Sequence, residues 1–479
     1  MYLIHSRWEV VVLELAVLAR DLSSVIPSAA TQRAAQRFLE MPDPSAVLGR
    51  VYGFLVWQRT LRTALAHLEA AGADLKALEV PVQAFRKTFP SNYPTVWKVD
   101  REPPVTASDL VDIYTVHRRL LAAPVDALVD AGLDRFGLVS GRAYESRYPL
   151  YVHRVEFDTD IVAADMAAGL DVMEALAGAG YPLDSIHIRR LGARPDATFE
   201  IGRWQGDHLV SIGVLVGGYH AHRGPICDRT EPIVFRDRPV PTARPEDLLV
   251  MLAARAERKA RFALVNFNDA AVILDTDGAR LDWDMVAVTA EASRLKATLA
   301  VVLGRAQRVL GRSVVPAEVW SWLTRGTGLP RAVTERVAST GVAPGVLRTW
   351  SVDNFTVRAW RAMVLFRQRG RPEGQSLSSN ALIRAQRRIL DRQVKAIRSG
   401  RPPSWRDRPL TTLRTRSGAM CEVAPHLAST ERCISIHGGW HGSQRASTRL
   451  REVADGLARV SEDHRCGRLR FDLWSRDGS

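Results

Sequence analysis

The residues best suited to chemistry lie between Phe136 and Val162. The run Phe136-Gly137-Leu138-Val139 closes in Ser140-Gly141. Tyr148-Pro149 follows, and then Arg154-Val155-Glu156-Phe157-Asp158-Thr159-Asp160-Ile161-Val162, which reads as a strand carrying two aspartates one residue apart. Alternate residues of a strand face the same way, so Asp158 and Asp160 are expected to project together. Paired carboxylates repel each other unless a cation lies between them, and hard oxygen donors suit Mg²⁺. A small-residue turn at Ser140-Gly141 lets backbone N–H groups approach a phosphate. A metal grip and a phosphate grip are the minimum apparatus for moving a nucleotidyl group.

Each residue also has a plainer reading. Two acids at a strand end can be solvated surface, and Ser-Gly is a common turn former. Arg154 either reaches a phosphate or pairs with a carboxylate such as Glu156. Glu246-Asp247, directly after Pro245, reads as a helix N-terminus with favourable dipole placement. Asp269, in an otherwise apolar helix, reads as a buried polar anchor. Arg258, Lys259 and Arg261 approach a triphosphate if their helix crosses the cleft, and otherwise form a solvated basic face.

The elements that must position these residues follow from periodicity. Residues 1–88 repeat helically, with breaks at Pro27, Pro42-Asp43-Pro44 and Pro81. Phe89 to Pro104 reads as a linker, and Thr106-Ala107-Ser108-Asp109 caps a helix running to about Ala131. From Arg135 the pattern turns to strands: Phe136–Val139, Val155–Val162, Ser185–Leu191, Thr198–Trp204 and His208–Val216. Between the second and third, Ala163–Ala179 reads as a helix ended by Gly180. The expected fold is α+β, a central mixed sheet with helices flanked by helical regions. The expected divisions are an N-terminal helical domain over 1–130, an α/β domain over 131–275, a helical domain over 276–400 and a basic, loop-rich region over 401–479. A last helix is expected over Ala446–Val460.

The order of Ser-Gly turn, Tyr-Pro, Arg and Asp-x-Asp resembles the minimal-type nucleotidyltransferases of the polymerase-beta superfamily. The resemblance continues through Arg238-Pro239-Val240-Pro241 into Pro245-Glu246-Asp247, then Asn268-Asp269-Ala270, then Leu281-Asp282-Trp283, and covers about residues 130–315. It implies a nucleotidyltransferase fold and transfer of an NMP from an NTP (ATP among the candidates) with Mg²⁺ or Mn²⁺. Ser140 and Gly141 would sit at the triphosphate, Asp158 and Asp160 would ligate the metal, and Arg154 and Lys259 would bind nucleotide. Related proteins act on tRNA, on proteins or on small molecules, so the acceptor does not transfer with the fold.

One departure matters. The family's third carboxylate belongs on a later strand, here His208–Val216, which contains no acid; its place falls at Ser211 or Gly213. Glu200 and Asp207 are the substitutes, and Glu200 is the favoured catalytic residue. A protein lacking the third acid altogether would bind a nucleotide or a partner without turnover.

Composition sets the outer bounds. The net charge is +14 and the pI about 10.1, which suits a polyanionic partner or an arginine-rich coding bias. Arg384 to Arg416 carries eleven Lys or Arg against Asp391 and Asp407, with Trp405 among them. It reads either as an arm for tRNA or another polyanion, or as a solubilising segment. Four cysteines exclude a disulfide scaffold. Cys421, Cys433, His437, His441, His464 and Cys466 lack a Cys-x₂-Cys pair, which argues against structural zinc. Arg7, Glu9, Glu14 and Arg20 interrupt the apolar N-terminus, so neither a membrane span nor a secretion signal is expected and the cytoplasm is the default.

Overall fold

The computed structural model describes residues 14–80, 106–149, 154–259 and 262–341 and the strands at 411–414, 420–423 and 433–437. Residues 16, 140, 155, 157, 182, 192–193, 206–207, 217, 220–221 and 223 fall outside the described set. Most of Arg384–Arg416 and the whole of the expected helix Ala446–Val460 also lie outside it.

The N-terminal helices are α1 (Ala29–Leu39), α2 (Pro44–Trp57), α3 (Leu61–Ala70) and α4 (Ala107–Asp130). Local chemistry starts three of them. Ser28 accepts from the Thr31 N–H and Asp43 from the Ala46 N–H, while Thr106 and Asp109 form a reciprocal capping box. Helices α1 to α3 and the start of α4 bury their own core around Phe38, Tyr52, Leu65 and Leu110. Asn268 ties this region to the rest, donating to the Ser23 carbonyl at 2.7 Å.

The sheet is ten-stranded, ordered β6-β7-β1-β2-β5-β4-β3-β10-β9-β8. Its strands are β1 (Phe136–Val139), β2 (Thr159–Ala163), β3 (Leu183–Leu191), β4 (Arg194–Gln205), β5 (His208–Val216), β6 (Glu231–Phe235) and β7 (Arg238–Thr242), with β8 (Thr411–Arg414), β9 (Met420–Val423) and β10 (Cys433–His437) beyond. β2 runs antiparallel to β1 and parallel to β5. Helix α5 (Gly141–Glu145) follows β1, and α6 (Met166–Gly178), capped by Asp165, follows β2.

Period-two alternation gives the sheet two buried faces. Leu138, Ile161 and Val214 pack with Leu121 and Val125 of α4 and Val172 and Leu176 of α6. Val139, Val162 and Leu215 face the opposite way, into a core with α7 (Pro245–Lys259), α8 (Leu264–Asp277), α9 (Trp283–Ala292), α10 (Lys296–Leu310), α11 (Ala317–Thr324) and α12 (Gly328–Gly341). The α+β fold and mixed sheet expected from the sequence are thus present. Among the described residues, no helix is long and apolar enough to cross a membrane.

Three local expectations change. The strand expected at Val155–Val162 begins only at Thr159, because Arg154 and Glu156 upstream are committed to buried ion pairs. The β6–β7 hairpin escapes the sequence pattern because Pro232, Pro239 and Pro241 argue against strand. Here β6 is an edge, and β7 meets β1 at Leu138↔Thr242 alone, so few ladder bonds are lost. Within the region expected to be basic and loop-rich, 401–479, the described residues form β8, β9 and β10, which extend the sheet beyond β3. Cys433 and His437 bound the last of these strands.

Candidate functional site

Asp160 lies at the head of β2, opposite Val139 of β1 and Gly213 of β5. It has the parity of Val162, so it faces the helical core of α7 to α12. Asp158 precedes the strand by one residue, and both aspartates are half-buried. Two carboxylates thus stand at the end of β2 beside the turn that leaves β1. Ser140, the first residue of that turn, lies outside the described residues.

Arg255 of α7 confronts this pair. It is buried, and its Nη1 has no hydrogen-bond partner among the described residues. Burial opposes its charge, but Tyr219, Asp158 and Asp160 outweigh burial and the neighbouring Arg154, so its pKa stands above the ordinary arginine value. A buried cation therefore stands within electrostatic reach of the carboxylate pair, with one guanidinium nitrogen that has no hydrogen-bond partner among the described residues. Sequence reading missed Arg255. The available signal is its position four residues before Lys259, which puts both on one face of α7.

Arg154 stands behind this wall rather than at its surface. Its Nε and Nη2 donate to the two oxygens of Asp269 at 2.7 and 2.8 Å, and the Tyr148 hydroxyl donates to Asp269 Oδ1 at 2.7 Å. Arg154 is 2% exposed and Asp269 not at all, so the guanidinium fork is filled inside the protein. Burial works against the Arg154 charge, and Asp269 more than restores it. Burial and Asp269 together push the Tyr148 phenol well above its usual range.

Gly141 serves this packing. A Cβ there would come within 2.9 Å of Arg154 Nη1 and Glu156 Oε1, so a side chain would displace the buried ion pairs. Glu156 itself lies 2.9 Å from Arg142 Nε without hydrogen-bond alignment. Burial pushes its carboxyl up to about 8 despite the pull of Arg142, and Glu145 adds to the rise.

Glu246 and Asp247 are internal cross-links. Glu246 accepts from the Asp282 N–H at 3.0 Å, tying α7 to the start of α9. Asp247 accepts from Arg229 Nε at 2.9 Å, with His222 Nε2 at 2.8 Å. Burial raises the Asp247 carboxyl, but His222 and Arg229 hold it below its usual range.

The third carboxylate is a question of register. Position 213 of β5, next to Asp160, is glycine, and Glu200 of β4 pairs with that same Gly213. Asp160, Gly213 and Glu200 thus occupy one row, with the acid one strand, about 4.8 Å, further out than the strand next to β2. Asp207 lies outside the described residues, as do the side chains of Glu200 and Lys259. Among the described residues, no group of three or more His, Cys, Asp or Glu side chains converges as a metal site. Two carboxylates still fit Mg²⁺, which binds through one or two protein carboxylates and completes its octahedron with water and phosphate oxygens.

No protein-family model matches the sequence, and no curated protein matches it. Among solved structures, an antigenic nucleotidyltransferase-like protein from Paracoccidioides brasiliensis aligns over 43% of this chain and 95% of its own, with 13% identity and a TM-score of 0.26. A likeness of that size carries no statement about chemistry.

Proposed function

We propose that this protein transfers a nucleotidyl group from a nucleoside triphosphate to an acceptor hydroxyl or phosphate. The observation that carries the reading is the half-buried Asp158/Asp160 pair at the head of β2, facing α7 and the open donor of Arg255. Asp158 and Asp160 would hold Mg²⁺ or Mn²⁺, which supplies charge neutralisation and orientation of the triphosphate. Arg255, with Lys259 one turn further along α7, would take up phosphate charge. Ser140 and Gly141 would bring backbone N–H groups to the same phosphates. Arg154 acts from behind, where its lock on Asp269 fixes the segment that leads into Asp158.

In the transfer itself, the acceptor oxygen forms a bond to the α-phosphorus and the bond from that phosphorus to the β-bridging oxygen breaks. Pyrophosphate leaves with the electron pair, and for a hydroxyl acceptor the proton passes to a base. Glu200, in the row of Asp160, is the residue assigned to that role. A second reading rests on Gly213: with no acid beside Asp160, the domain binds nucleotide or a partner without turnover. A tRNA acceptor, held through Arg384–Arg416, is a narrower version of the first reading.

The test uses NTP labelled at the α-phosphorus and a panel of tRNA, protein and small-molecule acceptors. Transfer that survives Asp158→Asn with Asp160→Asn would overturn the metal-site reading. Stoichiometric NTP binding with no transfer to any acceptor would establish the second one. Glu200→Gln is expected to slow transfer on the order of 10²–10⁴-fold.

A further inference from the structure

A second concave site lies away from β2. The middle of α4, the stretch Arg142–Pro149 and the tip of the β6–β7 hairpin enclose a cleft of about 500 Å³. Arg118, Arg119, Arg142 and Arg236 line it, against a single acid, Glu145. Two of the arginines are held by that acid. Arg142 donates to Glu145 Oε2 at 2.7 Å, and Arg118 makes a tight ion pair with the same carboxylate. Arg142 is 3% exposed, so one cation is fixed in the floor of the cleft. Arg119 makes no ion pair among the described residues. The wall above the floor is apolar, with the Phe235 ring centroid 5.2 Å from Arg142 Cζ and Pro149 alongside.

The hairpin adds an independent observation. Phe235 pairs with Arg238, so Arg236 and Asp237 form a two-residue turn, and both have positive φ, 49° and 62°. That is the type I′ pattern, which favours Asn, Asp or Gly. An arginine at its first position is strained, and such strain clusters at ligand clamps. The strained residue is the one that overhangs the arginine cleft. Its ion pair with Asp126, at 2.8 Å, is half-exposed and offsets little of that strain.

We propose that this cleft binds a small phosphorylated molecule, its phosphate on Arg119 and Arg236 above the buried Arg142, and its apolar part against Phe235 and Pro149. Arginine forks match phosphate oxygens, and Arg119 brings a charge to the cleft that no ion pair among the described residues offsets. The cleft is concave and of small-molecule size, whereas a nucleic-acid strand needs an open track. The cleft is distinct from the Asp158/Asp160 pair, because no residue of β2 lines it.

Calorimetric titration of the full chain with inorganic phosphate, with AMP and with a short single-stranded RNA tests this. The expected result is saturable binding of one phosphate or AMP per chain that survives Asp158→Asn with Asp160→Asn. Arg119→Glu and Arg236→Asn should each weaken it about tenfold, the scale of one charge-assisted hydrogen bond. Arg236→Asn should also raise Tm, because asparagine suits the turn; gained stability with lost affinity is not what a structural arginine gives. The proposal fails if phosphate and AMP do not saturate, if binding is unmoved by both arginine variants, if the double aspartate variant abolishes it, or if only RNA binds.

Discussion

Two sets of acids within one core illustrate how the same side chain takes opposite roles. Asp269 and Asp247 are wholly buried and each is gripped by an arginine, with a tyrosine or histidine beside it. Asp158 and Asp160 are half-buried at a strand end and face an arginine whose Nη1 is still open. A saturated buried carboxylate cannot change partners without exposing an uncompensated charge, so it holds elements together. A pair at the rim is not locked in this way, and the proposed function places the metal and the phosphate there. The difference lies in depth, not in residue type.

Four variants break or sharpen that contrast. The largest effect is expected at the rim. Asp158→Asn with Asp160→Asn should lower nucleotidyl transfer by at least about a hundredfold, more than loss of an outer-sphere partner costs, with circular dichroism unchanged. Asp269→Ala should instead act on the fold. It strands Arg154 in the interior, at a cost of about 3–5 kcal/mol read by urea denaturation. If both variants lost stability equally, the contrast between rim and interior would be wrong.

Tyr148→Phe is a milder probe of the buried set. It removes one hydrogen bond to a charged group and leaves the Arg154–Asp269 pair in place, at about 1.5–3 kcal/mol. The smallest effect concerns pH. The Glu156 carboxyl stands at about 8 in the folded protein against an ordinary 4.5. A raised value means that its contribution is fully present below 4.5 and is lost as pH climbs to about 8. The Tm of the parent protein should therefore fall as pH rises over that window, and Glu156→Gln should flatten the slope.

Much of this architecture is legible in the chain. Ser28, Asp43, Thr106 and Asp165 announce their helices because a cap is satisfied within three residues. The strands at Phe136–Val139 and His208–Val216 are readable because apolar runs mark them. The β6–β7 hairpin is not, since its prolines are tolerated only by an edge that pairing alone defines. Arg255 is hidden for a related reason. Nothing local separates it from the arginines around it until α7 packs across the head of β2.

What the amino-acid order determined by itself is short-range: helix starts and strand parity. These depend on bonds and periodicities spanning a few residues. Tertiary structure decided which charges met. Arg154 bound Asp269 across 115 positions of sequence, and Tyr148 bound the same acid across 121. It also set Gly213 between Asp160 and Glu200, and brought Arg119 and Arg236 to one cleft. The physical reason is that burial makes every ion pair consequential, while burial itself exists only after distant elements have packed.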